Sequence, residues 1–73
     1  MTCAELLVRQ GADPEDVGIA FCKTETGAYH LVCLYDRWIL DNRRDWPVEW
    51  DSVRYEYISV MYMDEPGHWL EFA

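Results

Sequence analysis

Two apolar runs separated by two polar residues constrain the fold of this chain more than any other feature. The runs read YHLVCLY at residues 29–35 and WILDN at residues 38–42, with Asp36 and Arg37 between them. A two-residue connection is typical of a β-hairpin, and the length of the turn sets the register of the two strands. Facing residues then have numbers that add up to 73, so we expect Val32 to lie opposite Asp41.

This register predicts that a histidine and an aspartate share one face of the hairpin. Side chains alternate between faces along a strand, so His30, Val32 and Asp41 project from the same side. His30 and Asp41 become diagonal neighbours, with their backbones roughly 7–8 Å apart and their tips closer. A three-residue turn would instead slip the register by one residue and move Asp41 to the other face.

A histidine next to a carboxylate serves as base and orienter in sites that transfer acyl groups through a cysteine or serine nucleophile. The two residues also have ordinary structural roles. Asp41 followed by Asn42 is a common turn cap, and a histidine on an apolar face is often held in the core by hydrogen bonds. The pair is therefore a candidate catalytic half-site, and a structural role remains the alternative.

At these positions the chain resembles the transglutaminase-like cysteine peptidases of bacteria and their phages, over residues 6–69. Residues 11–17 (GADPEDV) are similar to the turn that follows the family's catalytic helix. His30 falls on the family histidine, and Asp41 in the LDN motif at residues 40–42 falls on the family aspartate. The resemblance implies the His/Asp half of such a peptidase, with His30 as base and Asp41 as orienter.

The nucleophile departs from the pattern of this family. Cys3 precedes Gly11 by eight residues, whereas the family's helix carries its cysteine about two turns further upstream. Two turns are on the order of 10 Å along a helix axis, beyond hydrogen-bond reach of a histidine. Cys3 serves only if the helix has slid, in which case the helix dipole in the first turn would lower the pKa of its thiol.

The remaining pattern predicts an α+β fold. Thr2 and Glu5 form a capping box that begins a short helix, and Gly11 can end it. Strands are predicted at residues 17–23, 29–35, 38–42 and 53–61, with a loop at residues 43–52. We expect one domain over residues 1–73, in which one short N-terminal helix packs on a four-stranded, mostly antiparallel sheet.

Aromatic residues dominate the predicted core and the last strand. In residues 53–61, Tyr55, Tyr57 and Ser59 alternate with residues 56, 58 and 60, which predicts two distinct faces. Trp38 and Trp69 flank the hairpin and the last part of the chain, and both are candidate core residues. A domain of 73 residues has little stability to spare, so a homodimer or a partner surface would stabilise it.

Acidic residues are in excess, with 14 Asp and Glu against 6 Lys and Arg and a net charge of −8. This excess is ordinary for a soluble domain, but it also fits a partner with a basic groove, where carboxylates imitate the phosphates of nucleic acid. Arg37, Arg43 and Arg44 form too small a basic cluster to predict direct binding of nucleic acid. The candidate partner-binding residues are Asp13, Glu15, Asp16, Glu49, Asp51, Glu56, Asp64 and Glu65.

The cysteines predict neither disulfides nor a metal centre. Three is an odd number, and no Cys-x-x-Cys spacing occurs, so we expect reduced thiols, no cofactor and no metal. Reduced thiols favour the cytoplasm. No apolar stretch approaches the roughly 20 residues that span a bilayer, so no membrane association is predicted.

Three functions are consistent with these patterns. The first is a non-catalytic, acidic interaction protein, possibly phage-encoded like the anti-CRISPR inhibitors, that binds a basic nucleic-acid-binding surface of a larger complex. The second is a minimal cysteine peptidase that uses Cys3, His30 and Asp41. The third is an accessory chain that completes or regulates a separate peptidase. The displaced cysteine weighs against the second, and the acidic surface favours the first over the third.

Overall fold

The computed structural model describes residues 2–72 and forms a helix on an antiparallel sheet. Within these residues the helix is α1 (Cys3–Arg9), and all five strand pairings are antiparallel, in the order β4-β3-β2-β1-β5-β6. The strands are β1 (Val17–Lys23), β2 (Tyr29–Tyr35), β3 (Trp38–Leu40), β4 (Val48–Glu49), β5 (Glu56–Tyr62) and β6 (Trp69–Glu71).

The predicted α+β class with one short helix is confirmed, but the predicted number of strands is wrong. The described part of the sheet has six strands rather than four. β4 lies inside the segment predicted as a loop, and β6 follows the last predicted strand. Both are two or three residues long, too short to produce an alternating pattern, and they exist because a longer neighbour offers free backbone groups for pairing.

Helix α1 begins at the predicted capping box. The Thr2 hydroxyl accepts a hydrogen bond from the Glu5 main-chain N–H at 3.2 Å, and the Glu5 carboxylate accepts one from the Thr2 main-chain N–H at 3.2 Å. Gly11 follows the helix with a φ of 106°, a conformation that glycine adopts without strain. The helix packs on β1 and β2 through a cluster around buried Ala4, Val17 and Cys33.

The hairpin has the predicted register. Cys33 pairs with Leu40 and Leu34 with Ile39, so the turn consists of Asp36 and Arg37. Asp36 has a φ of 55°, which an aspartate tolerates better than most residues. The predicted bounds of β1 and β2 are also confirmed, whereas β3 ends at residue 40 instead of 42, and β5 spans residues 56–62 instead of 53–61.

A β-bulge in β5 overturns the predicted alternation of this strand. Phe21 pairs with Ser59, but the next residue, Cys22, pairs with Tyr57, which leaves Ile58 as the extra residue. An extra residue shifts the faces of the strand beyond it. Val60 therefore lies on the same face as Tyr57 rather than on the opposite one.

The face opposite α1 carries the second and larger part of the core. Its buried residues are Ala20, Cys22, Val32, Leu34, Ile39, Tyr55 and Val60. The tryptophans expected in the core lie elsewhere, since Trp38 is 41% exposed and Trp69 is 45% exposed. Both belong to short strands near the edges of the sheet, where the sheet covers only one side of a large ring.

Candidate functional site

His30 and Asp41 form the predicted pair on the sheet face opposite α1. Asp41 Oδ1 accepts a hydrogen bond from His30 Nε2 at 2.9 Å. The carboxylate is ionised and can only accept, so Nε2 carries the proton and Nδ1 is the ring nitrogen that remains for a further partner. The Asp41 side chain is fully buried, and the His30 side chain is 20% exposed.

Asp41 is also the centre of a wider polar network. Its Oδ1 accepts from the main-chain N–H of Arg43 at 2.9 Å, and its Oδ2 accepts from the Tyr55 hydroxyl at 2.7 Å. The same hydroxyl accepts from Arg43 at 2.8 Å and from Arg44 at 3.4 Å, and both guanidinium groups lie over the Tyr55 ring. Every contact in this network favours an ionised Asp41.

The pKa of Asp41 depends on both the burial of the carboxylate and its hydrogen bonds. Burial acts to raise it, but the N–H of Arg43 and the side chains of His30 and Tyr55 more than offset that effect. The pKa therefore lies at about 2 instead of 3.8. A carboxylate held in this way fixes its neighbours in place, which suits an orienting residue and a structural one equally well.

Cys3 lies with Cys33 rather than with His30. It opens α1, which packs on the face that carries Cys33, and Cys3 and Cys33 line the same cavity there. Burial, and then the nearby Cys3, raises the pKa of Cys33 to about 12. His30 projects from the other face of β2, so the structure brings together two members of the predicted catalytic set and places Cys3 across the sheet.

Cys22 is the cysteine on the face of His30 and Asp41, and sequence reasoning did not single it out as their partner. It pairs with His30 across β1 and β2, and its thiol donates to the main-chain oxygen of His30 at 3.4 Å. The side chain is fully buried, and burial together with the nearby Asp41 charge raises its pKa. A buried thiol that stays protonated is a poor nucleophile.

Seven of the eight predicted partner-binding carboxylates gather at one end of the sheet. Because β1 runs antiparallel to β2 and β5, the residues before β1 and those after β2 and β5 meet there. The Asp36 N–H donates to the Asp16 oxygen at 2.8 Å, and Met63 N–H donates to the Val17 oxygen at 2.9 Å. Glu49 and Asp51 lie there as well, because Glu49 pairs with Trp38 beside the turn at Asp36 and Arg37. We call this region the acidic end; it comprises Asp13, Glu15, Asp16, Asp36, Glu49, Asp51, Asp64 and Glu65.

Glu56, the eighth predicted carboxylate, lies at the opposite end of the sheet. It opens β5, and its partner on β1 is Lys23. Arg43 and Arg44 follow β3 at this same end, and Arg54 precedes β5 there. Four of the six basic residues, Lys23, Arg43, Arg44 and Arg54, thus lie at the end opposite most of the predicted carboxylates. Arg37, expected in a basic cluster with Arg43 and Arg44, instead follows Asp36 in the turn at the acidic end, because the hairpin places this turn and the segment after β3 at opposite ends of the sheet.

A cavity of about 240 Å³ lies between two parts of the acidic end. It is lined by Glu15 from the segment before β1 and by Asp64 and Glu65 from the turn after β5, along with residues that include His68. These carboxylates are exposed, unlike Asp41, so they remain hydrated and available to a partner. The turn after β5 thus brings two acidic segments together that are nearly fifty residues apart in the sequence.

Residues 2–72 contain no helix that is long and apolar enough to cross a membrane. They also contain no cluster of three or more His, Cys, Asp or Glu residues arranged to hold a metal ion.

Comparison with known proteins gives no match to a family model, to a curated protein or to a solved structure. The resemblance to the transglutaminase-like peptidases thus rests on the sequence motifs alone and stays a prediction. A fold alone does not determine function, which depends on the residues of the site.

Proposed function

We propose that this protein is a non-catalytic interaction protein whose acidic end binds a basic, nucleic-acid-binding surface of a larger protein. The single observation that carries this proposal is the gathering of carboxylates from four separate segments at one end of the sheet. Duplex DNA presents one negative charge per about 1.7 Å, so a surface that binds it also attracts a dense array of carboxylates. A small cytoplasmic inhibitor, such as a phage-encoded anti-CRISPR protein, fits this description.

The placement of the thiols supports a non-catalytic role. A cysteine nucleophile must lie within hydrogen-bond reach of its base and lose its proton to it. Cys3 packs with Cys33 on the helix side, and Cys22 is buried and donates to a main-chain oxygen. In this proposal His30 and Asp41 are an inherited or structural pair that anchors the segment after β3.

The experiment that tests the proposal combines capture, salt and competition. The protein is immobilised and used to capture a partner from its host lysate, and the captured protein is identified by mass spectrometry. We expect a nucleic-acid-binding protein that is released as salt rises from 0.1 M to 1 M, because the Debye length falls from about 10 Å to about 3 Å. A DNA or RNA duplex should displace it. Capture that is insensitive to both salt and duplex would contradict the proposal.

A minimal cysteine peptidase remains the second candidate, since His30 and Asp41 have the predicted geometry. Cys3 and Asp41 also border the same cavity of about 300 Å³ beyond the end of β3. A shift of α1 toward this cavity would bring the Cys3 thiol nearer to His30 and Asp41. The discriminating test is alkylation of Cys3 by iodoacetamide near pH 6. A fast reaction that is lost in His30→Ala would show a thiol activated by His30 and favour the enzyme, whereas an ordinary thiol would support the interaction protein.

A further inference from the structure

A small aromatic pocket lies on the sheet face opposite α1, close to the acidic end. Its volume is about 190 Å³, and buried Ala20 and Leu34 form its floor. The walls are Trp50, Tyr57, Tyr62 and Phe72, and the exposed Asp36 adds one carboxylate. Rings from three separate segments thus enclose one space.

The pocket exists because β1 carries small residues between large ones. Gly18 pairs with Leu34 on one side and with Tyr62 on the other. A Cβ atom at Gly18 would lie 3.1 Å from the Met61 main-chain oxygen and 3.2 Å from Cδ1 of Tyr62. With glycine here and Ala20 two residues further on, the rings of the neighbouring strands stand around a shallow floor.

The aromatic walls are held in place before any ligand binds. The rings of Trp50 and Tyr57 meet edge to face at 5.8 Å, and those of Tyr57 and Phe72 lie 5.6 Å apart. The Tyr57 hydroxyl donates to the Trp50 main-chain oxygen at 2.6 Å, and the Phe72 N–H donates to the Ile58 oxygen at 3.1 Å. A preformed pocket loses little conformational entropy on binding.

The combination of π faces with one carboxylate selects a cation. Aromatic faces attract cations through their quadrupole, and a guanidinium is planar, weakly hydrated and able to stack on rings while it binds a carboxylate. The chain already makes this contact, with Arg43 and Arg44 at 5.7 and 5.6 Å from the Tyr55 ring. We propose that the pocket binds an arginine side chain, presented by the basic surface of the partner.

This inference rests on the proposed function, because the acidic end and the pocket would contact the same partner. The Asp36 main-chain N–H donates to Asp16, so the pocket carboxylate belongs to the acidic end itself. The acidic end would supply attraction over a distance, and the pocket would receive one anchoring side chain. Arginine is also among the residues that most often dominate the binding energy of interfaces.

The test uses small probes and no partner, so its failure is distinguishable from failure of the proposed function. N-acetyl-arginine N-methylamide is titrated into the ¹⁵N-labelled protein, and amide and indole shifts are followed by NMR. We expect saturable shifts at the Trp50 indole N–H and at the Gly18 and Ala20 amides. The citrulline analogue has the same shape without the charge and should bind about tenfold more weakly. The lysine analogue should also be weaker, because it lacks the planar group.

Matched variants locate the site. Asp36→Asn keeps the shape and tolerates the positive φ of the turn, and it should weaken arginine binding several-fold. Asp64→Asn removes the same charge from the acidic end outside the pocket and should leave binding nearly unchanged. Trp50→Ala and Phe72→Ala should each abolish the shifts while the rest of the spectrum stays dispersed.

Several results would overturn the inference. These are equal binding of arginine and citrulline, equal binding of arginine and lysine, shifts confined to Glu15, Asp64 and Glu65, and equal losses in Asp36→Asn and Asp64→Asn. None of these results would bear on the binding of a partner by the acidic end, which the capture experiment tests separately.

Discussion

His30 Nε2 and Asp41 Oδ1 lie 2.9 Å apart, although the two residues are separated by eleven positions in the chain and one of them is fully buried. The two-residue turn at Asp36 and Arg37 makes this contact possible, because it fixes the register of β2 and β3. Asp41 also binds the Arg43 N–H and the Tyr55 hydroxyl. The carboxylate thus connects β2, the segment after β3 and the residue before β5.

The stability of the protein should fall in acid through Asp41. Its pKa is about 2 in the folded chain and 3.8 without these contacts, so the unfolded chain binds the proton first as pH decreases. The contribution is therefore fully present above pH 4 and is lost as pH falls through 2. A shift of this size corresponds to about 2 kcal/mol in the free energy of unfolding. Urea unfolding measured at several pH values gives the slope.

The control for this prediction is Asp41→Asn, which has no proton to gain at that position. The difference in unfolding free energy between the two proteins should shrink by about 2 kcal/mol between pH 4 and pH 2. A difference that stays constant over this window would mean that Asp41 does not have the lowered pKa.

Removing the Tyr55 hydroxyl should destabilise the fold and raise the pKa of Asp41. Tyr55→Phe deletes the donor to Oδ2 and the acceptor for Arg43 in a buried place, at a cost of about 1–3 kcal/mol. Urea unfolding measures the cost, and ¹³C NMR of the Asp41 carboxyl follows the pKa. Tyr35→Phe is the matched control, since Tyr35 is 36% exposed and should tolerate the change.

The three thiols should differ in reactivity in the native state. Cys3 is exposed, whereas Cys22 and Cys33 are buried and have raised pKa values. Iodoacetamide at neutral pH should modify Cys3 first, and mass spectrometry of the digested protein should find the other two unmodified until a denaturant is added. Rapid native labelling of Cys22 would reveal a reactive thiol beside His30 and revive a catalytic role for that face.

Burial, rather than ring size, should decide which apolar side chains are essential. Ile39→Ala empties a fully buried site and should cost about 2–5 kcal/mol, enough to unfold a domain of this size. Trp46 is 70% exposed, so Trp46→Ala should change the unfolding free energy by at most about 0.5 kcal/mol. Equal losses in the two variants would mean that Trp46 packs in the core.

The sequence predicts those parts of the fold that local chemistry decides. Thr2 and Glu5 begin the helix because both hydrogen bonds of the capping box are local, and Asp36 with Arg37 fixes the hairpin because turn length alone sets the register. The contact of His30 with Asp41 follows from that register. It was predictable without any tertiary information.

Non-local pairing decides what the sequence does not predict. β4 and β6 exist only because β3 and β5 offer them partners, and the bulge at Ile58 depends on how β5 meets β1. Tyr55 reaches the Asp41 network only once β5 has paired with β1. The acidic end arises in the same way, since antiparallel pairing gathers segments that are far apart in the chain, and it also separates Glu56 from the other carboxylates.

The most direct test of the central claim compares two double variants that change the net charge by the same amount at opposite ends of the sheet. Glu25 follows β1 at the end of the sheet that carries Glu56. Once the partner has been captured, its dissociation constant is measured for wild type, for Asp64→Lys with Glu65→Lys at the acidic end, and for Glu25→Lys with Glu56→Lys at the opposite end. We expect the first pair to weaken binding at least about tenfold through a slower association rate and to reduce its salt dependence, while the second pair and His30→Ala change it little. Equal weakening by both pairs, or loss of binding in His30→Ala alone, would contradict the account.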